Sequence, residues 1–292
     1  MKRVVCIPAY NEGHIIHKVI TECKKYADLV IVCDDGSSDN TSVEAKSAGA
    51  LIINHNTNKG KGAALRSLFD AAQKNGADVT VTIDGDGQFL PEEIPKLMNP
   101  VLEKQVDIVI GYRFSDSTSM PSYRQFGNKI LDKITNLASE LPFRDTQSGF
   151  RAYSKKALTK IQFSNDNFAA DSEILINASD MGLKISEEKI TVLYDLDGST
   201  STLNPVHHSA SVFSSLVEII ALKKPLLLLG IPGLILTIIG IIYSVNVVSL
   251  FNETRYFSIP ITLLSIGALT TGLILSLMSI VLFSISKVSK KV

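Results

Sequence analysis

The chain has 292 residues, of which 45% are hydrophobic and 20% are charged, and its 29 basic and 29 acidic side chains give a net charge of zero. Residues 223–292 carry six basic side chains and one acidic one, a charge of +5, so the preceding residues carry −5. A mildly acidic N-terminal part argues against nucleic acid as a partner, and the length accommodates one sizeable domain plus a further segment.

Strands and helices alternate over the first 110 residues. Apolar runs predict strands at 3–8, 29–33, 51–53, 79–83 and 107–110. Helical patterns predict helices at about 12–26, at 41–47, at about 63–75 and from residue 91 onward. The second strand is almost entirely apolar, as expected of a parallel strand that is buried on both faces. This alternation predicts an α/β fold with a doubly wound, mainly parallel sheet.

Polar clusters follow the first three predicted strands, at 8–12, 34–39 and 58–62. In an open α/β sheet the ligand binds at the carboxyl ends of the strands, so these clusters are expected to share one site. The acids of the second cluster suit a ribose or a base edge, although a turn and a helix cap at Asp39 are the structural alternative. The lysines and backbone amides of the third cluster suit a diphosphate, but its sequence is neither a P-loop nor a G-x-G-x-x-G motif.

The fourth strand ends in two carboxylates. Strand alternation places Val79, Val81 and Ile83 on one buried face and delivers Asp84 and Asp86 to the carboxyl edge of the sheet. Two acids at this separation repel each other unless a cation lies between them. Hard oxygen ligands favour Mg²⁺ or Mn²⁺, which usually keep substrate phosphates in their coordination shell. The alternative is a surface turn, where Asp and Gly are common.

Two long apolar stretches, 226–250 and 258–286, contain no charged residue. Each exceeds the roughly 20 residues that cross a bilayer. They predict a transmembrane hairpin with helices at 225–251 and 258–286, preceded by an amphipathic juxtamembrane helix at 206–224 and followed by a basic tail at 287–292. Two buried helices of a soluble protein are the alternative, against which the lengths argue.

Basic residues flank this hairpin. Lys223 and Lys224 precede the first stretch, and Lys287, Lys290 and Lys291 follow the second. The positive-inside rule therefore predicts a multi-pass protein of the cell membrane with the N-terminal domain and both termini in the cytoplasm. The three cysteines lack metal-ligand spacing, which fits a reducing compartment.

These motifs together resemble the family 2 glycosyltransferases of the GT-A (Rossmann-like) fold. The resemblance rests on the segments 7–12, 34–37, 58–62, 84–88 and 111–113. The later segment 145–153 is similar to a block of the polyprenyl-phosphate sugar transferases in this family, such as the dolichyl-phosphate mannose and glucose synthases. The similarity extends from residue 1 to about residue 200, which implies a GT-A catalytic domain at 1–205.

The resemblance implies a role for particular residues. The nucleoside pocket would be lined by Pro8, Tyr10, Glu12 and Asp35. The divalent cation, Mg²⁺ or Mn²⁺, would be held against the donor diphosphate by Asp84 and Asp86 with Gln88 nearby, and Lys61 belongs to the substrate-binding set.

The lipid phosphate would face Arg113 and Arg124, and Asp171 would lie near the sugar. Asp86, Asp171, Arg113 and Arg124 thus form the predicted catalytic set. Arg151 and the loop 199–202 are further candidates for phosphate contacts. An ordinary solvated arginine is the alternative for Arg113 and Arg124, and a helix N-cap is the alternative for Asp171.

The implied reaction is an inverting transfer of a sugar from GDP-mannose, UDP-glucose or UDP-N-acetylglucosamine to polyprenyl (dolichyl) phosphate, which supplies lipid-linked sugar for glycosylation. A phosphate acceptor is largely ionised at neutral pH and needs arginines to position it more than it needs a general base. The apolar side chains of Phe126, Ile130, Ile134 and Leu137 fall at helical spacing and suit either the membrane interface or the domain core.

Other functions stay open at this point. A membrane glycosyltransferase with a sugar-hydroxyl acceptor is the nearest, although the Gln-x-x-Arg-Trp block of processive members is absent because the chain has no tryptophan. A non-catalytic nucleotide-sugar-binding membrane protein and, more distantly, a nucleotidyltransferase are the others. A two-span anchor also allows a homo-oligomer.

Overall fold

The computed structural model describes residues 1–113, 129, 131–133, 135–137, 139, 141–164, 166, 170–193, 221 and 224–289. The chain divides into two compact units, Met1–Leu216 and Val217–Val292. Several predictions fall outside the described residues: those on Arg124, on the loop 199–202, on most of the helix at 206–224, on three of the four apolar side chains from Phe126 onward, and on Lys290 and Lys291. They stay predictions.

The first unit is built on a seven-stranded mixed sheet with the strand order β3-β2-β1-β4-β6-β5-β7. The strands are β1 (Arg3–Ala9), β2 (Leu29–Asp34), β3 (Leu51–Asn54), β4 (Val79–Thr82), β5 (Ile108–Tyr112), β6 (Arg151–Ser154) and β7 (Ile185–Lys189). Four of the six strand pairings are parallel, and β6 runs antiparallel to both of its neighbours. The predicted mainly parallel α/β architecture is therefore confirmed.

Helices cover both faces of the sheet. They are α1 (Ile16–Cys23), α2 (Thr41–Ser47), α3 (Lys61–Lys74), α4 (Ile94–Leu102), α5 (Lys155–Lys160) and α6 (Ala170–Asp180). On one face, α1, α2 and α4 pack on side chains such as Ile7 and Val81. On the other face, α3, α5 and α6 pack on side chains such as Cys6 and Tyr153. Each face thus contributes its own apolar core layer, which makes the sheet doubly wound.

Strand β4 lies in the centre of the sheet and is buried on both faces. Val79, Val81 and Ile83 join the core layer of α1, α2 and α4, as predicted. Thr80 and Thr82 are also buried, and the Thr82 hydroxyl donates a hydrogen bond to the carbonyl of Gly149 at 2.8 Å. The chain therefore leaves the middle of the sheet, between β1 and β6, at the point where the two predicted metal ligands begin.

The second unit contains two apolar helices. A π-helical turn at Leu226–Gly230 leads into α7 (Ile231–Thr254), and α8 (Ile259–Ser289) returns antiparallel to it. The segments Leu226–Thr254 and Ile259–Lys287 are long and apolar enough to cross a membrane by length and composition. They cover the two stretches that the sequence predicts, 226–250 and 258–286, except for residue 258.

Small residues line the contact between α7 and α8. A Cβ on Gly240 would lie 2.7 Å from the backbone nitrogen of Leu269, so only glycine allows this approach of the two backbones. The Ser265 hydroxyl donates to the carbonyl of Gly240 at 2.9 Å and lies 2.6 Å from the Ser244 hydroxyl. Close approach and interhelical hydrogen bonds are the interactions that hold helices together in lipid.

Candidate active site

A lysine bridges two of the predicted site carboxylates. Lys61 begins α3, and its Nζ lies 2.9 Å from Oδ1 of Asp84 and 3.2 Å from Oδ2 of Asp171. Burial acts to lower the pKa of Lys61, but the charges of Asp171 and Asp84 outweigh it and hold the pKa above its ordinary value. The structure therefore brings together three of the predicted site residues, Lys61, Asp84 and Asp171, from distant parts of the chain.

Gly149 forms the wall beside this bridge. A Cβ at this position would lie 2.5 Å from Oδ2 of Asp84 and 2.6 Å from Nζ of Lys61. Both distances are shorter than any ordinary contact of a methyl group. The backbone of the segment before β6 thus reaches the carboxylate directly, and any side chain at residue 149 would displace the pair.

Asp86 carries a charge that the protein hardly compensates. In the part of the chain that the structure describes, its carboxylate accepts one hydrogen bond, from the backbone N–H of Gln88 at 3.0 Å. Burial and then the charge of Asp84 raise the pKa of Asp86 to about 6. Gln88 also accepts a hydrogen bond at its carbonyl from the backbone N–H of Leu193, so its backbone links the acidic turn to the segment that follows β7.

Glu12 belongs to the same acidic group. Burial, followed by the charges of Asp86, Asp84 and Asp39, raises the pKa of Glu12 to about 7. The side chain from the end of β1 therefore faces the acids from the end of β4, because these two strands are neighbours in the sheet. Among the described residues, no group of three or more His, Cys, Asp or Glu side chains has the spacing of a complete metal site. A cation here would need further ligands from a bound molecule or from water.

Asp171 lies inside the first turn of α6, whose first residue is Ala170. It is therefore not the helix N-cap, which was the structural alternative. Its carboxylate is buried between Lys61 and Arg151, with Oδ1 at 3.8 Å from Nη1 of Arg151. A negative charge in the first turn of a helix is favourable because the amide dipoles point toward it.

Arg151 contacts Asp171 from the interior of the protein. It is 0% exposed, and its Nη1 and Nη2 donate to the carbonyls of Asp171 and Thr146, both at 2.8 Å. Its Nε has no hydrogen-bond partner within the described residues. The sequence predicts a phosphate contact for Arg151, but this geometry does not present the guanidinium to solvent. The two backbone carbonyls instead hold the guanidinium beside the buried Asp171.

Arg113 is neither solvated nor isolated. Its Nε and Nη2 donate to the two oxygens of buried Asp145 at 2.7 and 2.8 Å, and its backbone N–H donates to the same carboxylate at 3.0 Å. The side chain is 16% exposed, which excludes the alternative of an ordinary surface arginine. Its charge acts against the raised pKa of Asp86, so it lies beside the acidic group. The role that the sequence predicts for it stays a prediction.

Asp132 fixes the loop that carries Asp145. Its Oδ1 accepts hydrogen bonds from the backbone N–H and the hydroxyl of Thr146 at 2.8 and 2.7 Å. Burial raises the pKa of Asp132 to about 7 even though these two bonds act to lower it. The sequence analysis missed both Asp132 and Asp145 as supports, although Asp145 opens the conspicuous polar segment 145–149.

Both carboxylate oxygens of Asp35 make hydrogen bonds within the protein. Its Oδ1 accepts from the backbone N–H of Lys59 at 3.0 Å, and its Oδ2 accepts from that of Gly60 at 2.8 Å. Oδ1 also lies 2.6 Å from Nδ1 of His55, whose Nε2 is 2.9 Å from the Ser67 hydroxyl. This carboxylate therefore holds the loop that leads into α3. Its Oδ2 accepts one hydrogen bond and can accept another, so the nucleoside contact that the sequence predicts for Asp35 stays a prediction.

The rim of the site carries the first polar cluster. Tyr10 is 39% exposed, whereas Pro8 lies within β1. Asn11 adopts a left-handed conformation with φ of 58°, and its Oδ1 accepts from the backbone N–H of Ser38 at 2.8 Å. Asp39 accepts from the backbone N–H groups of Thr41 and Gly13, whereas the N-cap of α2 is the next residue, Asn40. The loops after β1 and β2 are thus tied together.

Comparison with known families now adds to this geometry. Residues 4–162, just over half of the chain, match the sequence profile of Glycosyl transferase family 2. The chain belongs to this family.

Two relatives and one solved structure illustrate the similarity. A UDP-N-acetylglucosamine–dolichyl-phosphate N-acetylglucosaminyltransferase of Methanococcus voltae is 34% identical, over 64% of this chain and 84% of the relative. A polyprenol monophosphomannose synthase of Mycolicibacterium smegmatis is 29% identical, over 65% of this chain and 77% of the relative. The structure is glucosyl-3-phosphoglycerate synthase of Mycobacterium tuberculosis in complex with Mn²⁺, UDP and glucosyl-3-phosphoglycerate, with a TM-score of 0.61 and 22% identity, over 76% of this chain and 79% of that one. This last likeness shows the fold.

Proposed function

We propose that this family 2 glycosyltransferase moves a sugar, with inversion at the anomeric carbon, from a nucleoside diphosphate to a polyprenyl phosphate at a membrane. The observation that carries the proposal is the acidic edge after β4, where Asp84 and Asp86 lie with Lys61 and Asp171 in one partly buried group. The names of the relatives indicate the lipid acceptor, and the two membrane-length helices suit it.

The acidic edge fits a divalent cation. Asp84 and Asp86 supply hard oxygen ligands, and the raised pKa of Asp86 reflects negative charge that a cation would relieve. Mg²⁺ and Mn²⁺ are commonly held by one or two carboxylates together with substrate phosphates, which suits a site with too few protein ligands to be complete. When bound, such a cation would act as a Lewis acid on the departing diphosphate. Gln88 stays a candidate for a further ligand.

Side chains of the protein would position the acceptor phosphate and stabilise the charge that develops on the sugar. An oxygen of the lipid phosphate attacks the anomeric carbon, and the bond from that carbon to the nucleoside diphosphate breaks. Positive charge develops on the sugar, and we expect the Asp171 carboxylate to stabilise that charge or to orient the sugar. Arg113, with its fork set by Asp145, and Arg124 would position the acceptor phosphate. No general base is required because the acceptor oxygen is already ionised.

The donor and the membrane face are finer parts of the proposal. The printed names of the relatives include both N-acetylglucosamine and mannose as the transferred sugar, so GDP-mannose, UDP-glucose and UDP-N-acetylglucosamine are all candidates. The basic residues around the hairpin support a cytoplasmic catalytic unit by the positive-inside rule. Pro8, Tyr10 and Glu12 are proposed to line the nucleoside pocket.

The test is direct transfer of label. Membranes that contain the full chain are incubated with polyprenyl phosphate, Mn²⁺ or Mg²⁺, and each radiolabelled GDP- or UDP-sugar in turn, and the label that enters the organic phase is counted. We expect label from one donor, and its loss with a chelator. Label from no donor, with the protein folded and nucleotide bound, would contradict the proposal. Transfer to a sugar hydroxyl instead would establish the nearest alternative.

A further inference from the structure

The acidic edge already contains a cation of its own. The ammonium of Lys61 lies between Asp84 and Asp171, and its side chain is 12% exposed. Its three groups come from the start of α3, the turn after β4 and the first turn of α6, so the lysine connects three elements. One of the two predicted metal ligands, Asp84, is therefore paired before any metal arrives.

Asp84 has little room to serve two cations together. Gly149 approaches so closely that its missing Cβ would lie 2.5 Å from Oδ2 and 2.6 Å from Oδ1 of the carboxylate. Oδ1 is also the atom that contacts Lys61. A divalent cation on this carboxylate would lie within a few ångströms of the ammonium and would be repelled by it. Metal binding and the present position of Lys61 oppose each other.

We propose that Lys61 is an exchangeable counter-ion, which neutralises Asp84 and Asp171 in the donor-free protein and releases Asp84 to the divalent cation when the donor diphosphate provides a new partner for its ammonium. The inference rests on the proposed function and deepens it. Lysine suits the exchange because its ammonium is a point charge with three donors on a flexible stem.

Charge balance supports this exchange. Before the donor binds, one ammonium faces two carboxylates. A divalent cation neutralises Asp84 and Asp86, and Lys61 then neutralises part of the diphosphate while it keeps Asp171 near the sugar. The consequence is coupling: metal alone binds weakly, and metal and nucleoside diphosphate strengthen each other's binding, as linkage requires.

The affinity for Mn²⁺ in the absence of nucleotide tests the exchange. Unbound Mn²⁺ is counted by electron paramagnetic resonance during titration of the full chain in detergent, for the wild type, Lys61→Met and Lys74→Met. The control makes the same substitution at an exposed position on the same helix. We expect Lys61→Met to bind Mn²⁺ alone about tenfold more tightly than the wild type, and the control to be unchanged. Added UDP or GDP should then increase the Mn²⁺ affinity of Lys61→Met less than that of the wild type.

An affinity that is unchanged or lower in folded Lys61→Met would overturn the inference and leave Lys61 as a fixed structural pair. Lys61→Gln keeps hydrogen bonds without the charge and gives a second reading if the methionine variant unfolds. The proposed function fails separately: if the wild type transfers label into lipid while neither variant binds Mn²⁺ more tightly, only the exchange is wrong. If the wild type binds no Mn²⁺ even with nucleotide, the proposed metal site itself is wrong.

Discussion

Two pairs of acids follow two parallel strands of the same sheet, and they have opposite surroundings. Asp34 and Asp35 end β2, and Asp84 and Asp86 follow β4. Asp35 meets two backbone N–H groups and a histidine, whereas the Asp86 carboxylate accepts one hydrogen bond within the described residues. The sequence presents both pairs as carboxylates beside glycine, so their different surroundings are visible only in the fold.

The difference separates a carboxylate that builds a loop from one that is available to a ligand. A buried acid that accepts several hydrogen bonds from the protein stabilises the donors around it, because those donors would otherwise be left without partners. A buried acid with few donors and a negative neighbour has a raised pKa and a strong tendency to take up a cation. Asp35 of the first pair therefore supports a loop, and we expect the second pair to bind the cation.

The largest effect is expected at Asp86. We expect Asp86→Asn to lower the rate of sugar transfer about 10³-fold, since it removes a carboxylate from the cation that would stabilise the leaving diphosphate. The midpoint of thermal unfolding should stay the same or rise, because an uncompensated buried charge is lost. Initial rates in the organic-phase assay and an unfolding scan measure both quantities. Full activity in this variant would refute the assignment.

The opposite pattern is expected at Asp35. Truncation in Asp35→Ala leaves the N–H groups of Lys59 and Gly60 and the ring of His55 without their acceptor. We expect the free energy of unfolding to fall by about 3 kcal/mol, because three partly buried donors are left unpaired. Denaturant unfolding of the wild type, Asp35→Ala and Asp86→Asn checks the contrast. Equal unfolding free energies for the two variants would break it.

Gly149 tests the comparison between the two pairs because it lies directly against Asp84 of the second pair. In Gly149→Ala the new methyl group would collide with the Asp84 carboxylate and with Lys61, so we expect the affinity for Mn²⁺ plus nucleotide to fall about tenfold. Gly85→Ala is the matched control, since the atom nearest to its Cβ, at 3.1 Å, is the end of the Ile16 side chain, which can shift. Similar Mn²⁺ affinities in the two variants would show that the wall at residue 149 is unimportant.

The smallest effect concerns pH. The pKa of Glu12 is raised from 4.5 to about 7, so the folded protein binds more protons than the unfolded chain within that window. Its contribution to stability is present below about pH 4.5 and is lost as the pH rises through about 7. We expect the metal-free wild type to melt about 3 °C lower at pH 7.5 than at pH 5.

Glu12→Gln should flatten this slope, and Asp132 should retain part of it because its pKa is raised in the same direction. Asp28 acts at lower pH, since its depressed pKa of about 2 makes its stabilisation disappear only as the pH falls below 3.8. A melting temperature of the wild type that rises between pH 5 and pH 7.5 would contradict the predicted sign.

Much of the fold followed from periodicity, because β1 to β5 are apolar runs separated by helical patterns. Strand β7 was missed since its sequence, ISEEK, is mostly polar and lies at the edge of the sheet, and β6 was missed because it is four residues long and begins with Arg151. The four polar clusters could be found from the sequence because each follows the end of a predicted strand, where an open α/β sheet binds its ligand.

Their internal pairing was not predictable. Asp35 meets His55 twenty residues away, and Arg113 meets Asp145 thirty-two residues away. Such pairs depend on the order of strands in space and leave no local pattern in the sequence. The resemblance implies ligand contacts for Asp35 and Arg151, and only the fold reveals the hydrogen bonds that both side chains make within the protein.

The most direct test of the contrast between the two pairs is Mn²⁺ binding in the presence of UDP or GDP, followed by electron paramagnetic resonance on the wild type, Asp35→Asn and Asp86→Asn. Asparagine at residue 35 keeps one acceptor oxygen and so preserves more of the loop than alanine does. We predict that the wild type and folded Asp35→Asn bind one Mn²⁺ per chain with similar affinity, and that Asp86→Asn loses this site. Undiminished Mn²⁺ binding by Asp86→Asn, or its loss in folded Asp35→Asn alone, would show that the cation belongs to the other pair.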